Sequence, residues 1–470
     1  MPLATARGRK LTSLRRRLAA LPAPLLGVLL ALAALGLATG SAPLRATPAT
    51  PARVLPPLQP WIDATPAGGT LNPPAGTYAG PVRIDRPIRI DGRGEVVIDG
   101  QGQGTVVTVR SDGVTLRRLH ITGSGESHDR LDSGLLVEDG HGNTFEDNRI
   151  DDVMFGITLQ RANGNRIAGN RIRSKDFDPA DRGDGLRLWY SSDNRIERNE
   201  IAGIRDITVS NALRNHFTGN TVRDSRRALN LLFSHRTRIE GNLLTHNSTG
   251  ITTLNSEGVV IRGNRIQHAM DASGAGVALK ESASVLIHGN EIIHCAVGVM
   301  SDSPMHPVNR VVLIGNRLAH NVTGINFYGE RGGRLVLGNR FEHNLWQAVV
   351  GGDDREESHD WQGNYWDDYE GFDRDRDGTG DRPHEIWAYS DRIWMDTPMA
   401  KFFRSSPALE LLDFLERLAP FASPRLIVRD HQPVAHDAAR QEPRAGLPAV
   451  PEQRGAEPEA EHKTGARIDR

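Results

Sequence analysis

The chain carries a single cysteine, Cys295, in 470 residues. That excludes an internal disulfide framework and any cysteine-rich zinc or iron–sulfur site. Aromatic residues make up 5% and hydrophobic residues 38%, too few for the roughly three conventional cores a chain of this length would otherwise build. Neither sign of charge is in excess. The 57 Lys and Arg against 58 Asp and Glu leave −1, which argues against a phosphate-tracking surface and so against nucleic acid as a partner. Beyond the first 40 residues no apolar run approaches the roughly 20 residues of a membrane span. What the chain has in quantity is glycine, 49 residues, and asparagine placed in one region: 22 of its 24 asparagines lie between Asn143 and Asn344.

Residues 1–45 have the order of an export signal. Arg7, Arg9, Lys10, Arg15, Arg16 and Arg17 precede an apolar run from Leu25 to Ala38, and small residues Gly40, Ser41 and Ala42 follow. The run is nearer 14 residues than a full span, and Pro22 and Pro24 interrupt its approach, so a cleaved signal is favoured over an uncleaved anchor. The mature chain is expected to be exported. Residues 46–68 are rich in Pro and Ala and read as a linker.

The asparagines are periodic. Asn148, Asn170, Asn199, Asn220, Asn242, Asn264, Asn290, Asn316, Asn339 and Asn364 are spaced by 22, 29, 21, 22, 22, 26, 26, 23 and 25 residues, a mean of 24. Glycine usually precedes them, and a Gly–aliphatic pair such as Gly250-Ile251 or Gly276-Val277 runs in step. This period is too short for paired-helix repeats, and the dense leucine frame of leucine-rich repeats is absent. An all-β right-handed parallel β-helix over 69–365, of about 12 coils, satisfies both period and composition. Strands stack about 4.8 Å apart, Asn hydrogen-bonds along the corners, and Gly supplies tight corner conformations.

Open ends of such a tube need caps. Residues 366–397 form an Asp/Gly-rich loop region. Residues 398–421 have helical periodicity, with Phe402, Phe403, Leu409, Leu411, Leu412, Phe414, Leu415 and Leu418 on one broad face. The apolar surplus of 398–418 suits either a C-terminal cap or a helix that docks on a partner. Residues 422–470, rich in Pro, Ala and mixed charge, read as disordered.

Three patterns carry candidate chemistry. Asp373, Asp375, Asp377, Thr379 and Asp381 place oxygens at alternate positions around Gly378, as a calcium loop does, but the twelfth position is His384 where a bidentate Glu would stand. Second, a histidine follows five successive Asn markers by four residues: His246, His268, His294, His320 and His343. Stacked coils align them at about 5 Å, a ladder of imidazoles suited to copper above zinc. Met300, Met305 and His306 add soft ligands nearby, although repeat duplication alone can copy a residue without a function. Third, Asp353-Asp354 and Asp178-Pro179-Ala180-Asp181 have a loose likeness to sites of polysaccharide-modifying enzymes of the uronan lyase or epimerase type. Neither shows the partners that acid–base catalysis needs.

Two stretches are more specific. HCAVGVMSDSPMHPVNRVVLIGNRLAHN (294–321) and WQGNYWDDYEGFDRDRDGTGDRPHEIWAYSDRIWMDTPMAKFFRSSPALELLDFLERLAPF (361–421) resemble the NosD family, periplasmic β-helix proteins that mature nitrous oxide reductase. The resemblance covers roughly residues 60–424. It implies a non-enzymatic accessory protein that acts with a membrane ABC transporter and delivers copper or sulfide for the reductase's copper–sulfide centre. It also implies that the 398–418 helix seats on the transporter, with a copper chaperone as a further partner. It supplies no ligand list, so the histidine ladder stands on spacing alone. The other class left open is the β-helical polysaccharide-modifying enzyme.

Overall fold

The computed structural model describes residues 54–302, 310–328, 333–351, 359–388 and 425–435, together with Leu415. Each repeat lays down three short strands separated by corners. A representative coil contains Arg238–Glu240, Leu243–Thr245 and Thr249–Leu254. Each pairs in parallel with its counterpart one repeat on, Arg238 opposite Val260, Leu243 opposite Arg265 and Ile251 opposite Val277. The third strands of all coils make one 12-stranded sheet running from Val82–Ile84 to Trp346–Val350. The first and second strands form two further stacks, joined at the N-terminal end by the long strands Arg89–Asp99 and Thr115–Thr122. Twelve rungs match the count expected from the period.

Three-residue strands point one side chain inward, and those side chains stack by type. One column runs Ile201, Val222, Leu244, Ile266, Ile292, Leu318, Phe341, Trp366; another runs Ile239, Ile261, Ile287, Leu313, Val336, Trp361. All are buried, each worth roughly 1.5–3 kcal/mol relative to exposure. Both columns finish in tryptophan. Phe341 and Trp366 stack at 4.2 Å, so the few aromatics are concentrated where the tube must be closed.

The ten periodic asparagines form one continuous buried ladder. Asn290 Oδ1 accepts both the backbone N–H of Asn264 (2.8 Å) and its Nδ2–H (2.9 Å), while the second Nδ2 hydrogen of Asn264 goes to Ile239 O (2.8 Å). The same pattern runs from Asn148 to Asn364. The residue before each rung is left-handed. At Gly169 (φ 65°) an added Cβ would lie 2.4 Å from Asp147 Oδ1, so glycine is favoured here, although Asp147 and Arg198 hold the same left-handed position before other rungs.

The ends depart from the sequence expectations. The 46–68 linker contains the helix Gln59–Ala64, and Leu58 and Ile62 beside and within it are fully buried, their spacing being that of a helix face. The 366–397 loop region contains the strand His384–Ala388. The tail called disordered from 422 supplies the strand Arg425–Asp430, antiparallel to His384–Ala388, with Ile427 and Val428 buried. Polar composition around it hides a short apolar core, Leu426–Val428. Asp430 is fully buried and its carboxylate accepts from Asn364 Nδ2 (2.8 Å), Asn364 N (3.0 Å), Gly363 N (3.2 Å) and Trp366 Nε1 (3.1 Å). It stands where an eleventh asparagine would accept. The export signal of 1–45 lies outside the described residues, and so does the helix of 398–421 except for Leu415.

Asp430→Ala leaves four buried donors without their acceptor and is expected to destabilise the protein by roughly 3 kcal/mol or more, read from urea unfolding. Asp430→Asn keeps an acceptor oxygen and should recover most of that loss.

Candidate functional site

The corner between the second and third strands is left-handed in successive coils. Its residues are Gly203 (φ 61°), Asp224 (56°), His246 (54°), His268 (59°), His294 (52°), His320 (55°) and His343 (54°). Gly, Asn, Asp and His tolerate this conformation best among natural residues, so the corner itself favours the residue types found there. Register brings the five histidines into one row. Ring centroids are 4.6 Å apart for His246–His268 and 5.2 Å for each of His268–His294, His294–His320 and His320–His343. The middle pair is parallel to within 1°.

Hydrogen bonds set the two ends of the row. His246 Nδ1 lies 2.8 Å from Thr245 Oγ1, and His343 Nδ1 lies 2.6 Å from Asp367 Oδ2. A carboxylate on Nδ1 orients the ring and leaves Nε2 as the free ligand, the usual support for a metal-binding imidazole. At His268, burial first and then the neighbouring imidazoles lower the pKa. That favours the neutral, metal-binding form. Beneath the row, Cys295 is fully buried. Its thiol donates toward Ile293 O (3.4 Å), and burial raises its pKa to about 11. It therefore offers no thiolate to the corner.

Two nitrogens bound to one ion are at most about 4 Å apart. A rung spacing of 5.2 Å closes to that distance by small rotations of exposed rings. Among the described residues no three ladder donors lie within 4.8 Å of one another. The row fits ions held by pairs of imidazoles and not a closed cage. Met300, expected beside it, is elsewhere: it sits on Val297–Ser301 of the 12-stranded sheet, aligned with Ala278 and Asn326, six residues past the His294 corner. Proximity in sequence did not mean the same column. Met305 and His306 lie outside the described residues.

The Asp-rich loop follows the same corner after Asp367. Carboxylate oxygens of Asp373, Asp375 and Asp377 come within 4.8 Å of one another. Asp373 accepts from Gly378 N (2.8 Å) and Asp377 N (3.1 Å). Thr379 instead bridges to Val434 through its backbone, and Asp381 accepts from Arg374 N (3.0 Å). His384, the twelfth position, is buried on Trp366 at 4.7 Å and cannot complete the loop. Of the uronan-type positions, Asp178 and Asp181 are exposed on the 175–184 excursion, where His128 Nε2 meets the backbone oxygen of Asp181 (3.1 Å); Asp353 and Asp354 lie outside the described residues.

Sequence reasoning missed a cluster of charges at the start of the 12-stranded sheet's middle strands. Asp206 is buried and shared by Arg226 and Arg227. Asp184 is buried beside it. Burial, then the charge of Asp206, raises the Asp184 carboxyl to about 6. No spacing marks these residues, because each partner lies one coil away.

A long parallel solenoid with a histidine row at one corner thus defines the class. The model of the family described as periplasmic copper-binding protein (NosD) matches residues 169–371. The chain is 28% identical over 427 residues to a probable ABC transporter binding protein NosD of Pseudomonas aeruginosa, covering 87% of this chain and 95% of that one. It is 26% identical over 386 residues to the protein of the same name in Stutzerimonas stutzeri, covering 74% and 82%. Among solved structures, the A-module of the Azotobacter vinelandii mannuronan C-5 epimerase AlgE6 is similar at 16% identity and a TM-score of 0.49, over 63% of this chain and 91% of that one. The chain is thus similar to the NosD family through its central coils and, at lower identity, over most of its length. Among the described residues no helix is long and apolar enough to cross a membrane.

Asp184 generates a pH prediction. The native state holds its proton more tightly than the unfolded chain, so its stabilising contribution is complete below pH 3.8 and is lost as pH rises through about 6. The loss amounts to about 3 kcal/mol. Asp184→Asn should therefore gain stability relative to the parent by up to that amount between pH 4 and pH 7, measured as the difference in urea midpoints.

Proposed function

We propose that this protein is a periplasmic accessory factor for the copper–sulfide centre of nitrous oxide reductase, working with a membrane ABC transporter and carrying copper as cargo. The observation that supports this reading most is the row of five imidazoles, four of them stacked, in a chain matched by the model of a family described as copper-binding. Paired, exposed donors suit an ion that must be given up again, since each added protein ligand deepens the hold on it. The relatives' names point to an ABC transporter as partner. The apolar segment 398–418 is the proposed seat on the permease, with the reductase and a copper chaperone as the partners at either end of the transfer. Relay of sulfide fits the same association, but the imidazole row offers it no site. The role proposed is non-enzymatic, which the family description and the relatives' names support.

The ladder is tested by combining His268→Gln, His294→Gln and His320→Gln. Copper(I) affinity should fall at least tenfold with the melting temperature nearly unchanged, and reductase from cells relying on the variant should be copper-poor. Undiminished copper binding would exclude the ladder, and a fully loaded reductase in a deletion strain would refute the maturation role.

The Asp373–Asp375–Asp377 loop is proposed to take calcium with modest affinity, because the bidentate twelfth ligand is missing. Calorimetry should register calcium binding that Asp375→Asn abolishes, and the absence of both heat and thermal shift would remove the site.

A further inference from the structure

We propose that the outer face of the 12-stranded sheet, across Leu186–Trp189, Asp206–Ser210 and Arg227–Leu232, is a binding cleft for an acidic oligosaccharide. In these strands Leu188, Val209 and Leu231 point into the core. Their neighbours therefore face outward in two columns: Arg187, Thr208, Asn230 and then Trp189, Ser210, Leu232. Outward residues of a solenoid are normally solvated. Here Thr208 is only 8% exposed and Asn230 only 7%, so the floor lies in a recess. The Asn230 side-chain amide makes no hydrogen bond among the described residues, and its polar atoms reach solvent. An amide open to solvent on this floor can exchange its water for a ligand hydroxyl or carboxylate. Asp184 reaches into the same floor against Thr208, with Arg187 Nη1 3.6 Å away.

The rim opposite the histidine corner is aromatic. Tyr190 and Phe233 are 52% and 49% exposed, and both occupy left-handed corners, two coils apart, with Asn211 between them. That spacing is roughly 10 Å. Trp189 packs edge-on against Tyr190 at 4.8 Å. An exposed tyrosine and phenylalanine beside a recessed polar floor match the two surfaces of a pyranose, an apolar C–H face and a girdle of hydroxyls. The axial rise of about 4.8 Å per coil is close to one sugar unit, so successive units of a chain lying along the axis meet equivalent columns.

Charge decides which class of sugar. Arg187, Arg205, Arg226 and Arg227 border the floor, against Asp184 and Asp206. Asp206 is already taken by Arg226 and Arg227. The guanidinium excess favours a carboxylate-bearing sugar through charge-assisted hydrogen bonds. Binding without turnover is inferred, because Asp206 is held by Arg226 and Arg227 and no base stands opposite Asp184.

The test titrates the full protein with hexagalacturonate and with neutral cellohexaose, following Trp189 fluorescence and heat. The acidic hexamer should bind and the neutral one at least tenfold more weakly. Combined Tyr190→Ala and Phe233→Ala should weaken binding at least tenfold with the melting temperature and copper(I) affinity unchanged; Asn230→Leu should weaken it severalfold. No binding of the acidic hexamer, equal binding of the two, or affinity untouched by the aromatic pair would each overturn the proposal. Appearance of unsaturated products would overturn binding without turnover. Copper affinity is read separately, so failure here leaves the maturation reading intact, and the reverse.

Discussion

A buried amide that must find its partner one coil further on is the constraint from which this molecule is built. Each rung of the asparagine ladder accepts two hydrogen bonds from the rung before it and donates to the rung after. No rung is satisfied alone, and a displaced coil would leave buried donors on one neighbour and an unused acceptor on the other. The ladder therefore fixes register along the whole tube. Length variation is pushed to corners that carry no rung: the 29-residue step from Asn170 to Asn199 is absorbed by the 175–184 excursion. The same logic requires a last acceptor, and Asp430 supplies it from 66 residues away in sequence.

Registration has a second consequence at the histidine corner. Because the backbone rise sets the distance between equivalent side chains, ring separation is a property of the fold and not of any ion. Three of the four steps are 5.2 Å whatever the neighbours do. Under the proposed copper role, an array made this way supplies several similar, shallow positions instead of one deep one. Equal neighbouring positions lower the barrier for an ion to be passed on, whereas a cage of three or four converging donors would hold it. The left-handed corner also accounts for why histidine, and not methionine, fills the row: flexible apolar residues gain nothing from that backbone conformation, while His is among the few that tolerate it.

What could be read in the sequence was what repeats. The ten asparagines and five histidines were legible because solenoid register turns sequence period into spatial alignment, and the Gly–aliphatic pairs marked the third strand of each coil. Reading failed wherever alignment came from something aperiodic. Met300 is close to His294 along the chain, yet one strand carries it onto another face. His384 completes the calcium-loop spacing, but stacking on Trp366 has greater call on an imidazole than an exposed loop does. Asp430 looked like one acid in a polar tail because its partner is a ladder end, which only the folded tube creates. Asp184 owes its raised proton affinity first to burial and then to Asp206 on the next coil, a pairing no motif announces.

The same separation explains how one narrow tube can carry unrelated surfaces. Inward columns answer to packing, and rung corners answer to the amide ladder, so neither is free to vary. Outward columns answer to nothing in the fold. Asn230 in an outward column and Phe233 at the corner beside it are therefore not accounted for by stability: the Asn230 amide makes no hydrogen bond among the described residues, and an exposed aromatic ring buries little. The histidine row is partly accounted for by its corner, because the backbone there selects few residue types. By that measure the aromatic and polar columns of the 12-stranded sheet call for a ligand more strongly than the histidines do, since no demand of the coil explains them.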